Sequence, residues 1–160
     1  MATTMGLALL LAATGVDGLL AGASLDQSIK QLPARHAIGP RAYSTYSRAA
    51  DLGPGTACYA ALGVGGAALT GAAAVVARRE RAAPRCVRPL RLAAALAVLH
   101  SLVTARAAPI LIGQRRVADD PAALTIVFER FAWWQARRAG LQLATFSAMV
   151  WALARYGSRG

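Results

Sequence analysis

Aromatic residues make up only 6% of this 160-residue chain, although 56% of it is hydrophobic. Small aliphatic side chains, mainly Ala, Leu and Gly, therefore carry the apolar content. Such a chain is too apolar for an ordinary soluble domain. Small side chains suit membrane helices that approach one another closely. Cysteine is scarce as well. Cys58 and Cys86 sit in no CxxC, and no histidine lies at metal-ligand spacing from either. That leaves no basis for a zinc or redox site, and no metal or cofactor is expected. The two cysteines flank one apolar run at opposite ends, so no disulfide is expected between them. Acidic residues number 7 against 18 basic ones, for a net charge of +11, and Lys30 is the only lysine. A nucleic-acid binder of this charge would line one polar surface with arginine. Here the arginines stand between and at the ends of apolar runs, as membrane flanks do, so no nucleic-acid partner is expected.

What is present is a set of four apolar stretches, at about 5–23, 56–77, 92–112 and 133–153. Each is close to the ~20 residues that cross a bilayer as a helix. The first has no basic residue before it and is interrupted by Asp17, so it reads as a span rather than a cleaved leader. The expected fold is all-α: one domain over 1–160, a polytopic four-transmembrane-helix bundle with a short interfacial helix in its first outer loop. The first helix is expected to reach Gln31 and to stop before Pro33. Gly39-Pro40 opens the short helix and Gly53-Pro54 closes it, with Tyr43, Tyr46 and Ala50 sharing a face. His36 reads as a surface residue. The Gly63–Gly66 run lacks the spacing and the lysine of a phosphate loop.

Six arginines (78, 79, 81, 85, 88 and 91) oppose Glu80 alone in the second connection. A short loop of this kind stays cytoplasmic, which puts both termini inside as well. Asp120 is placed to cap a last helix that starts at Pro121 and runs through Arg155. Phe128, Phe131, Trp133 and Trp134 are expected as an aromatic belt, and Arg155, Tyr156 and Arg159 as the anchor at the other end.

The chemistry-bearing residues recur at helical spacing. Gln135, Arg138, Gln142 and Thr145 fall on one face of the last helix. Lipid cannot satisfy such a stripe, so it must face protein or water. Axial rise puts Tyr59, Thr104, Arg106, Asp17 and Arg138 in the same half of the bundle, with His100 somewhat deeper. Asp17 and Arg138 are the expected ion pair, with Arg106 as a rival cation. Candidate catalytic residues are Asp17, His100 and Arg138. Candidate substrate-binding residues are Tyr59, Thr104, Arg106, Trp134, Gln135 and Gln142. The plainer readings are a structural partner for an arginine in the case of Asp17, and a hydrogen-bonded core residue in the case of His100.

Several of these features resemble the four-helix membrane family that includes the fungal anthrone oxygenases. They are Gly18-Leu19-Leu20-Ala21-Gly22 followed by Ser28 and Pro33, the proline Pro109 near the end of the third helix, and the Trp134…Arg138 pair at the entry of the fourth. The chain departs from that pattern at Ala107, Leu111, Ala132 and Gln135, where family members often carry Asn or His. The resemblance implies a four-helix fold and a cofactor-free oxygenase acting on a lipophilic polycyclic substrate. In that reading His100 or Asp17 accepts a proton and Arg138 stabilises the resulting enolate or phenolate. A small transporter or binding module with Asp17 as coupling site is the second reading, and a non-catalytic structural subunit the third. The expected partners are the lipid bilayer and a lipophilic small molecule, with a homo-oligomer left open. The expected location is the inner (plasma) membrane.

Overall fold

The computed structural model describes residues 4–157, all of whose regular elements are helical. Helix α1 (Thr4–Asp26) runs into a π turn (Gln27–Gln31) and on into α2 (Leu32–Ile38). Then come α3 (Pro40–Ala50), α4 (Pro54–Arg79), α5 (Pro84–Gly113), a 3-10 turn (Gln114–Arg116) and α6 (Pro121–Gly157). Three helical stretches, Gly6–Ile38, Pro54–Arg79 and Pro84–Arg116, are long and apolar enough to cross a membrane. The fourth long helix, α6, has 37 residues and a length of about 55 Å. It is not among the three, because Gln135, Arg138 and Gln142 interrupt its apolar sequence. The chain is thus an all-helical membrane protein.

The four long helices form a ring in which α1 packs on α4 and α6, and α5 packs on α4 and α6. The short α4–α5 and α5–α6 connections make those neighbours antiparallel. At one end, a Cβ added to Gly6 would meet Glu80 Oε2 at 3.1 Å and the Tyr156 hydroxyl at 3.2 Å. At that same end the Cys86 thiol donates to the Arg155 carbonyl at 3.4 Å. The start of α1, the α4–α5 turn and the end of α6 therefore lie together, with the arginine cluster exposed around them. Arg159 lies outside the described residues.

The start of α6 is as the sequence dictates. Asp120 Oδ1 accepts from the amides of Ala122 and Ala123 at 2.9 and 3.0 Å, with Pro121 in the first turn. Helix α3 likewise opens at Pro40 behind Gly39, whose φ of 84° suits glycine. Two expectations are corrected. The helix does not stop before Pro33. The π turn closes through Leu32 N–H to Gln27 O, and Pro33 enters the first turn of α2, where no donor is needed. Helix α5 runs through Pro109 to Gly113 without a break, as membrane helices often do around proline. Finally, the aromatic belt is divided. Phe128 and Phe131 are fully buried, while Trp133 is exposed. Tyr43 of α3 explains this, meeting Phe128 edge-on at 4.9 Å between ring centroids. The buried face of α3 is accordingly Tyr43, Ser44 and Ser47, with Tyr46 exposed.

The interior has three layers, and one stripe of α6 passes through all of them. Leu124, Phe128 and Phe131 join Leu32, Tyr43, Ala107 and Leu111 in an aromatic-rich cluster at the α3 end. Gln135, Arg138, Gln142 and Thr145 follow in a polar middle layer. Ala148, Met149, Ala152 and Tyr156 then join Leu10, Ala13, Ala73, Ala77, Cys86, Leu90 and Ala93 at the arginine-rich end.

Candidate functional site

The polar layer borders a cavity of about 220 Å³, far more than the ~30 Å³ that one water occupies. Its walls are mainly apolar, from Leu20, Leu52, Ala60, Ala108, Leu111, Ile112 and Phe131, while Gln27, Asp51, Tyr59, His100, Arg138 and Gln142 also line it. Apolar walls with a few polar groups are the usual build of a small-molecule site. The lining residues Ala60 of α4 and Ile112 of α5 are exposed, so the cavity is partly open to the exterior at these two helices.

Arg138 is nine-tenths buried, and its Nη2 donates to Gln27 Oε1 at 2.9 Å. Gln27 reaches it because the π turn begins there, and such turns often re-aim a side chain at functional sites. The Tyr59 ring stands 5.9 Å from the guanidinium carbon, at the edge of cation–π range. Across the same cavity, Asp51 Oδ2 accepts from the Ser47 hydroxyl at 2.8 Å. Burial pushes the Asp51 carboxyl above its usual range, while Ser47, the Arg138 charge and the Gln27 amide pull it back.

His100 and Gln142 border both this cavity and a smaller void of about 10 Å³ beside Asp17 and Thr145. His100 Nε2 lies 2.6 Å from Gln142 Nε2 and 3.1 Å from Thr104 Oγ1. The Gln142 amide can take either orientation. With its oxygen toward the ring, the buried Oε1 gains the N–H it otherwise lacks. Nδ1 is then left as the basic nitrogen.

The structure brings five of the predicted site residues to the cavity: Tyr59, His100, Thr104, Arg138 and Gln142. Asp17 lies next door, and its partner is not Arg138. Thr70 Oγ1 donates to Asp17 Oδ2 at 2.7 Å, and Gly66 leaves room for the carboxylate. A Cβ there would meet Oδ1 at 2.8 Å. The expected Asp17–Arg138 ion pair is therefore replaced by two separate hydrogen-bonded groups, because α1 turns Asp17 toward α4. Arg106 is exposed on α5, away from the cavity. Trp134 packs against the aromatic-rich cluster. Gln135 donates to the Ser24 carbonyl at 3.2 Å and Ser28 Oγ at 3.3 Å, tying α6 to α1. Sequence reasoning missed Gln27 and Asp51. The available signal for Gln27 was its place one turn after Ser24, on the polar side of α1. No group of three or more His, Cys, Asp or Glu side chains among the described residues could hold a metal ion.

No protein-family model, curated protein or solved structure matches the chain.

Proposed function

We propose that this chain is a four-span inner-membrane protein whose cavity takes a lipophilic polycyclic molecule and oxygenates it without a cofactor. The observation that carries this reading is that His100 and Arg138 line one partly open, apolar-walled cavity. An acidic methylene beside an aromatic ketone gives up a proton to the His100 imidazole. Arg138 holds the enolate oxygen that results. Dioxygen then bonds to the carbanionic carbon, a second proton is lost, and water leaves. The methylene becomes a carbonyl, with one oxygen atom retained and the other in water. The resemblance to the anthrone oxygenases supports the same reaction.

The test is oxygen consumption by the purified protein in lipid nanodiscs supplied with an anthrone. His100→Ala should lower the rate by about 100-fold or more, and Arg138→Gln by a similar factor. A rate no higher than that of heat-unfolded protein rejects the reading. Proton-gradient-dependent uptake of the same compound into proteoliposomes would favour a transporter instead. Loss of a partner complex on deletion would favour a structural subunit.

In this reading the arginine-rich end, with both termini, faces the cytoplasm. Cys86 is fully buried and reports nothing about sidedness. The exposed Arg81 is the better probe. In a Cys58→Ser background, Arg81→Cys should resist a membrane-impermeant maleimide on intact cells. Efficient labelling there would invert the topology.

A further inference from the structure

Arg138 is a buried cation with no anion in direct contact among the described residues. No carboxylate among the described residues lies within ion-pair distance of it. One neutral amide, that of Gln27, accepts from Nη2, and Nε has no hydrogen-bond partner among the described residues. Asp51 lines the same cavity and acts on Arg138 through space, but it makes no contact ion pair, and its carboxylate accepts from Ser47. A guanidinium in a low-dielectric interior is strongly disfavoured unless an anion compensates it. It is nonetheless held from two sides, by Gln27 of the π turn and by the Tyr59 ring of α4. Such a side chain is prepared for a ligand, because little of its freedom remains to be lost on binding.

We propose that the cavity binds a lipophilic acid as its anion, with the charged oxygen on Arg138 and the apolar body among Leu20, Leu111, Ile112 and Phe131. This rests on reading the cavity as a ligand site. It goes further by assigning the ligand a charge before any reaction, where the oxygenase reading asks only for charge that develops during one. The exposed lining residues Ala60 of α4 and Ile112 of α5 mark where such an amphiphile would enter. An aromatic acid and an aliphatic fatty acid share this chemistry and are separated by the test.

The experiment is equilibrium binding to the full chain in phosphatidylcholine nanodiscs, with empty nanodiscs subtracted. The probes are 2-naphthoate and its methyl ester, which differ in charge and by one methyl group and carry no methylene to oxygenate. Failure here is thus separate from failure of the oxygenase reading. Wild type should bind the acid at least tenfold tighter than the ester. Arg138→Gln should bring the acid down to the ester's affinity and leave the ester unchanged, which shows that the cavity is intact. Displacement of naphthoate by laurate supports the proposal with fatty acids as the source. Retention of naphthoate against laurate supports it with aromatic acids. Equal affinities for acid and ester in wild type overturn it, whatever the folding of the variant. An undiminished acid preference in Arg138→Gln overturns it as well.

Discussion

The two apolar clusters that close the polar layer are built on opposite principles. At the arginine-rich end half of the buried contacts are alanines, Ala13, Ala73, Ala77, Ala93, Ala148 and Ala152, with Leu10, Leu90, Met149 and the single ring of Tyr156 among the rest. Side chains this small let helix backbones approach closely. At the α3 end the space is filled by Tyr43, Phe128 and Phe131 with leucines around them. There the filling is done by bulk, and one of the aromatic rings comes from α3 rather than from the ring of four. The cavity adjoins this second cluster, and Phe131 and Leu111 belong to both. A bundle with little aromatic content thus concentrates what it has where it must hold a space open rather than close it.

The sharpest way to break this contrast is to remove bulk where bulk is used. Phe128→Ala should lower the unfolding free energy in detergent by about 3–5 kcal/mol. It should also loosen α3, seen as faster amide exchange in residues 40–50. A loss below 1 kcal/mol would mean that Phe128 packs against nothing that matters. The converse change adds bulk where the helices need room. Ala93 is completely buried, so Ala93→Leu should cost about 1–3 kcal/mol. Affinity for cavity ligands should stay the same, since the site lies beyond that cluster. Weakened ligand binding would show that the two ends are coupled.

Between the clusters, the Asp17–Thr70 hydrogen bond can be tested by a double-mutant cycle. Thr70→Val removes the donor from a buried carboxylate and should cost about 1–3 kcal/mol. Once Asp17→Asn is present, the same change should cost less. An Asp17→Asn and Arg138→Gln cycle should be additive. Coupling there, with none to Thr70, would restore the ion pair that the structure does not contain.

The smallest effect expected is a pH dependence at Asp51. Burial raises the carboxyl in the folded state, so folding favours its protonated form. The stabilisation it contributes is complete below the unfolded value of about 3.9. It is lost as the pH rises through the raised folded value. Wild type should therefore gain in melting temperature relative to Asp51→Asn as the pH falls from 7 toward 4. A difference that is flat, or that shrinks on acidification, would show that Asp51 does not titrate in this way.

The elements themselves were legible because their signals are local. Asp120-Pro121, Gly39-Pro40 and the spacing of Gln135, Arg138, Gln142 and Thr145 act within one or two turns. The site was legible as a set of depths but not as a set of pairs. Axial rise gives Asp17 and Arg138 similar heights, yet only the rotation of each helix decides that Asp17 meets Thr70 and Arg138 meets Gln27. Arg106 failed for the same reason, as its height is suitable and its azimuth is not. Phe128 and Phe131 looked like interface aromatics until α3 folded over them. Spacing from Ser24 puts Gln27 on the polar side of α1 but does not aim it at Arg138, because its direction depends on a turn of π geometry, which no composition signals.

That turn also acts as a frame setting for the chain. A π turn holds one residue more than an α turn, so residues 27–31 behave as a one-residue insertion within a continuous helix. Deleting any one of them would remove the insertion and let the helix run on in α register, with Leu32 and Gly39 kept near their present directions. What would be lost is local, namely the aim of Gln27 at Arg138. The same deletion inside the α segment Thr4–Asp26 would instead rotate everything beyond it by about 100°. One residue more or less in the exposed turn between Arg79 and Pro84 changes only the slack between two helices. Insertions and deletions in chains that share this architecture should therefore collect at the α4–α5 turn and at 27–31, and be absent from the interiors of the α segments.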